Sequence, residues 1–266
     1  MRTTIVIPCY NGEKYLLQTL KSIKAQTHKP NEILLIDDGS TDNSISIAKE
    51  FGVNIHRNTE NMGIGYTRQV GLDLADGDYV AYLSADDVFH PKFLETSLKH
   101  LKKNRATYTD YYVCNENLIP AKIFICPNYS IENVIDWAIR KSMYINFSSI
   151  LIPKDIPAKF IKELKKGEDL IFLLDSILSG FEWMRIPDPL IYYRIHEEQF
   201  TWRHNKEDFI LVWKYIIDRL KKLGIDKNRM TAYVRALRAR AVNPSAPVLK
   251  PLAQYRKPTN IPLSSS

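Results

Sequence analysis

The sequence predicts an α/β fold with a mostly parallel central sheet flanked by helices and a helical extension at the C-terminus. Three observations predict it. In the first hundred residues, short continuous apolar runs alternate with segments of helical periodicity, as in a sheet covered on both faces. The polar clusters of this stretch fall where the apolar runs end, at the edge where such sheets bind ligands. The 266 residues, 45% apolar and 25% charged, suffice for one large domain with a buried core.

Thr3–Pro8 is the first apolar, β-branched run, and Cys9-Tyr10-Asn11 follows it. Glu13–Gln26 carries Leu16, Leu17, Leu20 and Ile23 at helical spacing. Glu32–Ile36 is the second strand and ends in Asp37-Asp38-Gly39-Ser40, with Ser40 placed to cap a helix that runs to about Glu50 before Gly52. Val53–Arg57 is a third strand, Gly65–Leu74 a helix, and Tyr79–Leu83 a fourth strand that leads into Ser84-Ala85-Asp86-Asp87. Pro91 suits the first turn of a helix ending near Asn104. Beyond residue 105 the pattern is less regular. Thr107–Asn115, Lys122–Cys126 and Ser148–Pro153 read as strands, and Ser130–Lys141 and Asp169–Leu178 as helices. Trp183–Ile186 and Leu190–Ile195 are short strands divided by Pro187 and Pro189. Phe209, Val212, Trp213, Ile216, Ile217 and Leu220 form one face of a helix that stops near Gly224, and a basic helix follows from Asn228 to Arg240. Four stretches result: a ligand-binding half over 1–104, a second half over 105–200, C-terminal helices over 201–242 and a flexible tail over 243–266.

The net charge of +7 suits phosphorylated small molecules or anionic lipid; a role with nucleic acid would rest on that charge alone and is not expected. Cys9, Cys114 and Cys126 are odd in number, far apart and without a CxxC pair, which argues against a disulfide framework or zinc site and for a reducing compartment. No run approaches the roughly 18–20 apolar residues of a membrane span. The expectation is a cytoplasmic protein, with peripheral membrane association left open. Lys214, Arg219, Lys221, Lys222, Lys227, Arg229, Arg235, Arg238 and Arg240 would suit a membrane surface, although a solvated helix face is the simpler account.

Two adjacent carboxylates after an apolar strand are costly unless something positive neutralises them. For Asp86-Asp87 a divalent metal is the natural partner, since Mg2+ or Mn2+ takes one or two carboxylates and completes its shell with phosphate oxygens and water. A helix N-terminus beside Pro91 accounts for the same pair. Asp37-Asp38-Gly39-Ser40 reads either as a turn with a cap or as a carboxylate that accepts a ligand N–H.

The order and spacing of these pieces resemble the family 2 glycosyltransferases of GT-A fold. The resemblance covers residues 3–94 through Ile5-Val6-Ile7-Pro8-Cys9-Tyr10-Asn11-Gly12, Ser22–Thr27, Ile36-Asp37-Asp38-Gly39-Ser40-Thr41-Asp42, Asn61-Met62-Gly63-Ile64-Gly65, Arg68, Ala75–Val80 and Ala85-Asp86-Asp87 with Pro91. Gly167-Glu168-Asp169 and Pro189–His196 look like the family's later landmarks. The resemblance implies a donor that is a nucleotide sugar, most simply a UDP-sugar, and an acceptor hydroxyl on a glycan, lipid-linked or protein molecule. Pro8 and Tyr10 would border the base, with Asp38 accepting its N–H and Asp37 assisting. Arg68 would lie by the diphosphate, and Ser84 and Ala85 along the nucleotide. Asp86 would be the main ligand to Mn2+ or Mg2+, with Asp87 within reach of metal or sugar. Ser84 is a departure, because the family commonly has Asp there.

The reaction implied is an inverting displacement at the anomeric carbon, with oxocarbenium character in its transition state. Asp169, at a helix start, is the expected general base, although Glu168 and Asp169 also complement a helix dipole. His196 would complete the metal shell or touch the diphosphate, Arg194 would contact phosphate or pair at the surface, and Trp183 is either an acceptor platform or core. Two alternatives stand beside transfer. One is a non-catalytic nucleotide-sugar-binding relative, which Ser84 keeps open. The other is a nucleotidyltransferase, which would show a Gly-rich basic loop where this chain has Cys9-Tyr10-Asn11-Gly12-Glu13.

Overall fold

A computed structural model describes residues 1–131, 133–134, 145–199, 206–222 and 255–256. The N-terminal half is a parallel sheet. β1 (Thr3–Cys9) lies at its centre, with β2 (Glu32–Asp37) and then β3 (Asn54–Arg57) on one side and β4 (Tyr79–Tyr82) on the other. β1 is buried along its whole length, which its unbroken apolar and threonine run permits because helices cover the sheet. These helices are α1 (Glu13–Lys24), α2 (Ser44–Phe51) and α3 (Ile64–Leu74). α3 packs closely on the sheet at Gly71, where a Cβ would meet Val6 Cγ1 at 2.3 Å.

The second half is mixed. β8 (Ile150–Pro153) runs antiparallel to β4, and β6 (Arg105–Cys114) antiparallel to β8. β9 (Glu182–Arg194) runs parallel to β6, and β7 (Pro120–Phe124) antiparallel to it, with the two-residue β10 (Tyr255–Arg256) beside β7. A short strand, β5 (Val88–Phe89), pairs antiparallel with β9. It brings the segment after Asp86-Asp87 against the end of β9. α4 (Phe93–His100), α5 (Glu168–Leu178) and α6 (Lys206–Lys222) complete the fold.

Several elements differ from expectation. Pro187 and Pro189 do not divide a pair of strands. Thr109 pairs with Ile186 and Asp110 with Pro189, so the residues between them form a bulge and β9 stays continuous. The α4 helix ends at His100, short of Asn104. Ser40 does not cap α2. Its hydroxyl accepts from the Asn11 amide at 2.9 Å, and Asp42 Oδ1 receives the Ser44 amide at 3.0 Å. Most of the expected helix over Ser130–Lys141, the one from Asn228 to Arg240, and most of the 243–266 tail lie outside the described residues.

The α6 face holds as predicted at Val212, Trp213, Ile216 and Leu220, all buried. Arg219, counted among the basic surface residues, instead docks α6 on α5 through a two-pronged pair with Asp175 at 2.7 and 2.6 Å. Among the described residues no helix is long and apolar enough to cross a membrane, and the three cysteines are free and buried.

Candidate active site

The ends of β1 and β2 are sewn together by side chains. Asn11 takes the left-handed conformation at φ 49°, which frees Oδ1 to accept the Thr41 amide at 2.9 Å. Ser44 Oγ receives the Gly12 amide at 2.8 Å, and Asp42 Oδ2 the Glu13 amide at 2.9 Å. Gly39 sits at φ 79°, where a Cβ would also lie 2.9 Å from the Glu60 backbone, so only glycine fits. The result is a fixed loop pair from which Tyr10 projects, 51% exposed, while Pro8 stays buried in β1 opposite Ile36.

The carboxylates of β2 face different partners. Asp37 is fully buried, receives the Ser40 amide and is paired with Arg57 at 3.2 Å. Asp38 Oδ1 accepts from Asn58 Nδ2 at 2.7 Å and the Met62 amide at 2.9 Å, and Oδ2 accepts the Gly63 amide at 2.9 Å. Asp38 therefore builds the loop that starts α3, and one acceptor position remains on Oδ2.

Arg68 points from α3 into the interior rather than outward. Its guanidinium pairs with Glu168 and lies 4.8 Å from the centre of the Phe147 ring, with Nε buried and unpartnered. Gly65 makes room for the α5 end, since a Cβ there would stand 2.5 Å from the Ile161 carbonyl oxygen. Glu168 is buried, and desolvation, with the Asp169 carboxylate second, pushes it up to about 7 against the opposing pull of Arg68. Asp169 is half-buried, and its Oδ1 accepts its neighbour's amide, Leu170 N, at 2.7 Å.

After β4, Asp86 and Asp87 part ways. Asp86 keeps its side chain 25% exposed and meets His196 Nε2 at 3.0 Å. Asp87 turns inward and accepts from Ser148 Oγ at 2.5 Å and the Arg194 amide at 3.1 Å. Burial, then the Asp86 charge, push its carboxyl well above the usual range. Ser84 and Ala85 are half-buried, with the Ser84 amide and hydroxyl both bonded to Ser148 Oγ.

Arg194 is neither at the surface nor open to a ligand. It is 1% exposed behind the Asp86 loop. Trp183 is core, with Nε1 donating to Ser176 Oγ at 2.8 Å. An open cleft of about 410 Å3 borders His196 and is lined by Lys14, Glu116, Ile195, Glu197 and Glu198.

The donors present suit a divalent cation that keeps much of its shell for diphosphate and water. Asp86 offers one outward carboxylate and His196 an imidazole nitrogen, and the buried Nδ1 of His196 has no partner. Among the described residues no cluster of three or more His, Cys, Asp or Glu could hold a metal by itself. Tyr15, Gln18, Glu116 and Ser148 bear on the site and carry no sequence signal. Each acts through a partner more than sixty residues away.

Comparison with known proteins bears on the family and the fold. The model for "Glycosyl transferase family 2" matches residues 4–145. Glycosyltransferase GlyA of Streptococcus pneumoniae is 38% identical over 122 residues, which are 44% of this chain and 18% of GlyA. An uncharacterized glycosyltransferase of Rickettsia typhi is 30% identical over 237 residues, 82% of this chain and 72% of the relative. The chain thus spans less than a fifth of GlyA and most of the rickettsial protein. Among solved structures, S. aureus TarS 1–349 in complex with UDP aligns with a TM-score of 0.68 at 20% identity, covering 90% of this chain and 71% of that one. The mannosyltransferase PcManGT of Pyrobaculum calidifontis, in complex with GDP-Man and Mn2+, aligns with a TM-score of 0.60 at 15% identity, covering 92% and 88%. These likenesses establish the GT-A fold. The family match runs over more than half of the 266 residues, through Tyr10, Asp38, Arg68 and Asp86, and the chain belongs to glycosyl transferase family 2.

Proposed function

We propose that the chain transfers a hexosyl group from a nucleoside diphosphate sugar, preferentially a UDP-sugar, to an acceptor hydroxyl with inversion at the anomeric carbon. One observation carries this reading: the base loop, the metal pair and the candidate base are joined by an unbroken run of contacts. Asp38 holds Gly63 at the start of α3; Arg68 of α3 holds Glu168 beside Asp169, and its carbonyl accepts from Tyr82 at the end of β4, four residues before Asp86. Residues more than a hundred positions apart thus act as one framework.

In this reading Tyr10 stacks on the base and the free Oδ2 position of Asp38 takes an N–H from its edge, which favours uracil. Asp86 and His196 hold Mn2+ or Mg2+. When bound, the cation supplies Lewis-acid stabilisation of the departing diphosphate. Asp169 removes the proton of the attacking acceptor hydroxyl, and that oxygen forms the new bond as the sugar–diphosphate bond breaks. Ser84 leaves a hydroxyl where a further carboxylate is common in the family, so Asp86 carries more of the cation's charge. The nucleotides named with the structural neighbours, UDP, UDP-GlcNAc and GDP-Man, support this donor class. The acceptor belongs to the glycan, lipid-linked or protein classes.

A thermal-shift panel of UDP, GDP and dTDP with Mn2+ tests the donor half, and sugar transfer by Asp169→Asn tests the chemistry. Selective stabilisation by UDP is expected, together with loss of transfer in the variant. Equal response to all three nucleotides would overturn the Asp38 assignment, and unchanged transfer the Asp169 assignment.

A further inference from the structure

No fully buried side chain among the described residues is larger than Arg194. A guanidinium so placed is desolvated at a cost of several kcal/mol unless its donors are matched. Each of its three nitrogens has an acceptor, supplied by three different parts of the fold. Nε donates to the Asp86 carbonyl at 2.8 Å, one terminal nitrogen to the Glu116 carbonyl, and the other to Gln18 Oε1 at 2.8 Å. The cation sits over the Tyr15 ring, with Cζ 4.4 Å from the ring centre, and that ring meets the His196 ring at 4.8 Å.

The backbone of Arg194 completes the grip. Its amide donates to Asp87 Oδ1 at 3.1 Å, so one residue holds the Asp86 carbonyl through its side chain and the Asp87 carboxylate through its main chain. With Asp87 tied inward and the peptide between the two acids pinned, the Asp86 carboxylate is left directed at His196. His196 itself lies two residues beyond Arg194, and Gln199 Nε2 fastens the intervening turn back to the Arg194 carbonyl at 3.0 Å. Both candidate cation ligands therefore take their places from Arg194.

We propose that Arg194 is a positioning residue for the cation–diphosphate site, acting without touching donor or metal. The inference rests on the reading of Asp86 and His196 given under Proposed function. Lysine retains the charge but replaces a three-way fork with a single ammonium, which cannot reach all three acceptors.

The test is Mn2+ binding to the full chain in the presence of UDP, read from the free-ion EPR signal, alongside UDP binding without metal. Arg194→Lys should weaken Mn2+ binding by about tenfold or more, as loss of a ligand-orienting partner does. Metal-free UDP binding should stay within about twofold, because the Tyr10 loop is untouched. Gln18→Met alters an exposed residue and removes one of Arg194's three acceptors, and should weaken Mn2+ binding by about threefold. It decides the matter should Arg194→Lys fail to fold. Unchanged Mn2+ affinity in the folded variants would overturn the positioning role alone. Absence of Mn2+ binding in the wild-type chain would overturn the metal reading and this inference with it.

Discussion

Arg68→Met removes the cation from a pair buried on both sides, the side chains being 10% and 4% exposed. Glu168 is then left with no opposite charge and no route to water. Above about pH 7, where Glu168 is ionised, breaking such a pair from one side costs about 3–5 kcal/mol. With an unfolding entropy of roughly 2.1 cal/mol/K per residue, 266 residues unfold with about 0.55 kcal/mol/K, so Tm should fall by about 5–9 °C. The pH dependence identifies the cause. Glu168 stands at about 7 in the folded chain, above the ordinary 4.5, so its contribution is fully present below 4.5 and is lost as pH rises to about 7. Without Arg68 the folded-state value climbs further, and the loss continues to higher pH. The gap between variant and wild type should therefore widen above pH 7. Urea denaturation at pH 6 and pH 8.5 measures it, and Arg68→Met/Glu168→Leu should recover most of the loss by removing the stranded carboxyl. A gap below about 1 kcal/mol at pH 8.5, or one that narrows with rising pH, would refute the reasoning.

Tyr10→Ala removes an exposed ring that packs against nothing essential to the fold; UDP affinity by calorimetry should drop by about 1–3 kcal/mol with Tm nearly unchanged. Asp86→Asn should abolish Mn2+-dependent UDP binding, whereas Asp87→Asn should only weaken it, since Asp87 faces Ser148 and Arg194 and the amide oxygen can still accept from the Arg194 amide. Because the Asp87 carboxyl is raised, wild-type stability falls as pH rises above the ordinary Asp range, and Asp87→Asn should flatten that fall in a pH series of melting curves. Asp169→Asn should lower kcat by about 10²–10⁴ at unchanged UDP affinity, measured by turnover and calorimetry in parallel.

The placement of the candidate donor residues was legible because it is local. Tyr10, Asp38 and Asp86 each follow an apolar strand, and the corresponding ends of parallel strands share one edge. The second half resisted the same reading for definite reasons. The bulge at Pro187–Pro189 keeps β9 continuous where prolines signal a break, and β5 is too short to show periodicity. In the sequence Arg68 reads as a diphosphate contact and Arg194 as a phosphate contact or a surface partner, yet their partners are Glu168, 100 residues away, and Asp86, 108 residues away. Nothing local marks such pairings. Trp183 was open between platform and core, and its bond to Ser176 decides for core.

The two acidic pairs show what sequence alone leaves undecided about a dipeptide. Along β2 adjacent side chains alternate, which turns Asp37 and Asp38 apart, whereas Asp86 and Asp87 part within a turn closed by the Asp87 amide on the Ser84 carbonyl at 3.1 Å. After β4 the outward member is the first, Asp86, and the inward member, Asp87, is held by Ser148 and Arg194. After β2 the inward member is the first, Asp37, sealed at zero exposure, and the second, Asp38, turns to the loop before α3. The identity of the residues is the same in both pairs, and only register and distant partners distinguish ligand from scaffold. An inward carboxylate is tolerable because each one has donors: the Ser40 amide and Arg57 for Asp37, Ser148 and the Arg194 amide for Asp87. After β4 the buried Asp87 thus helps aim the part-exposed Asp86, while after β2 both Asp37 and Asp38 are buried and build the loop, so substitutions at Asp37 or Asp87 act through geometry.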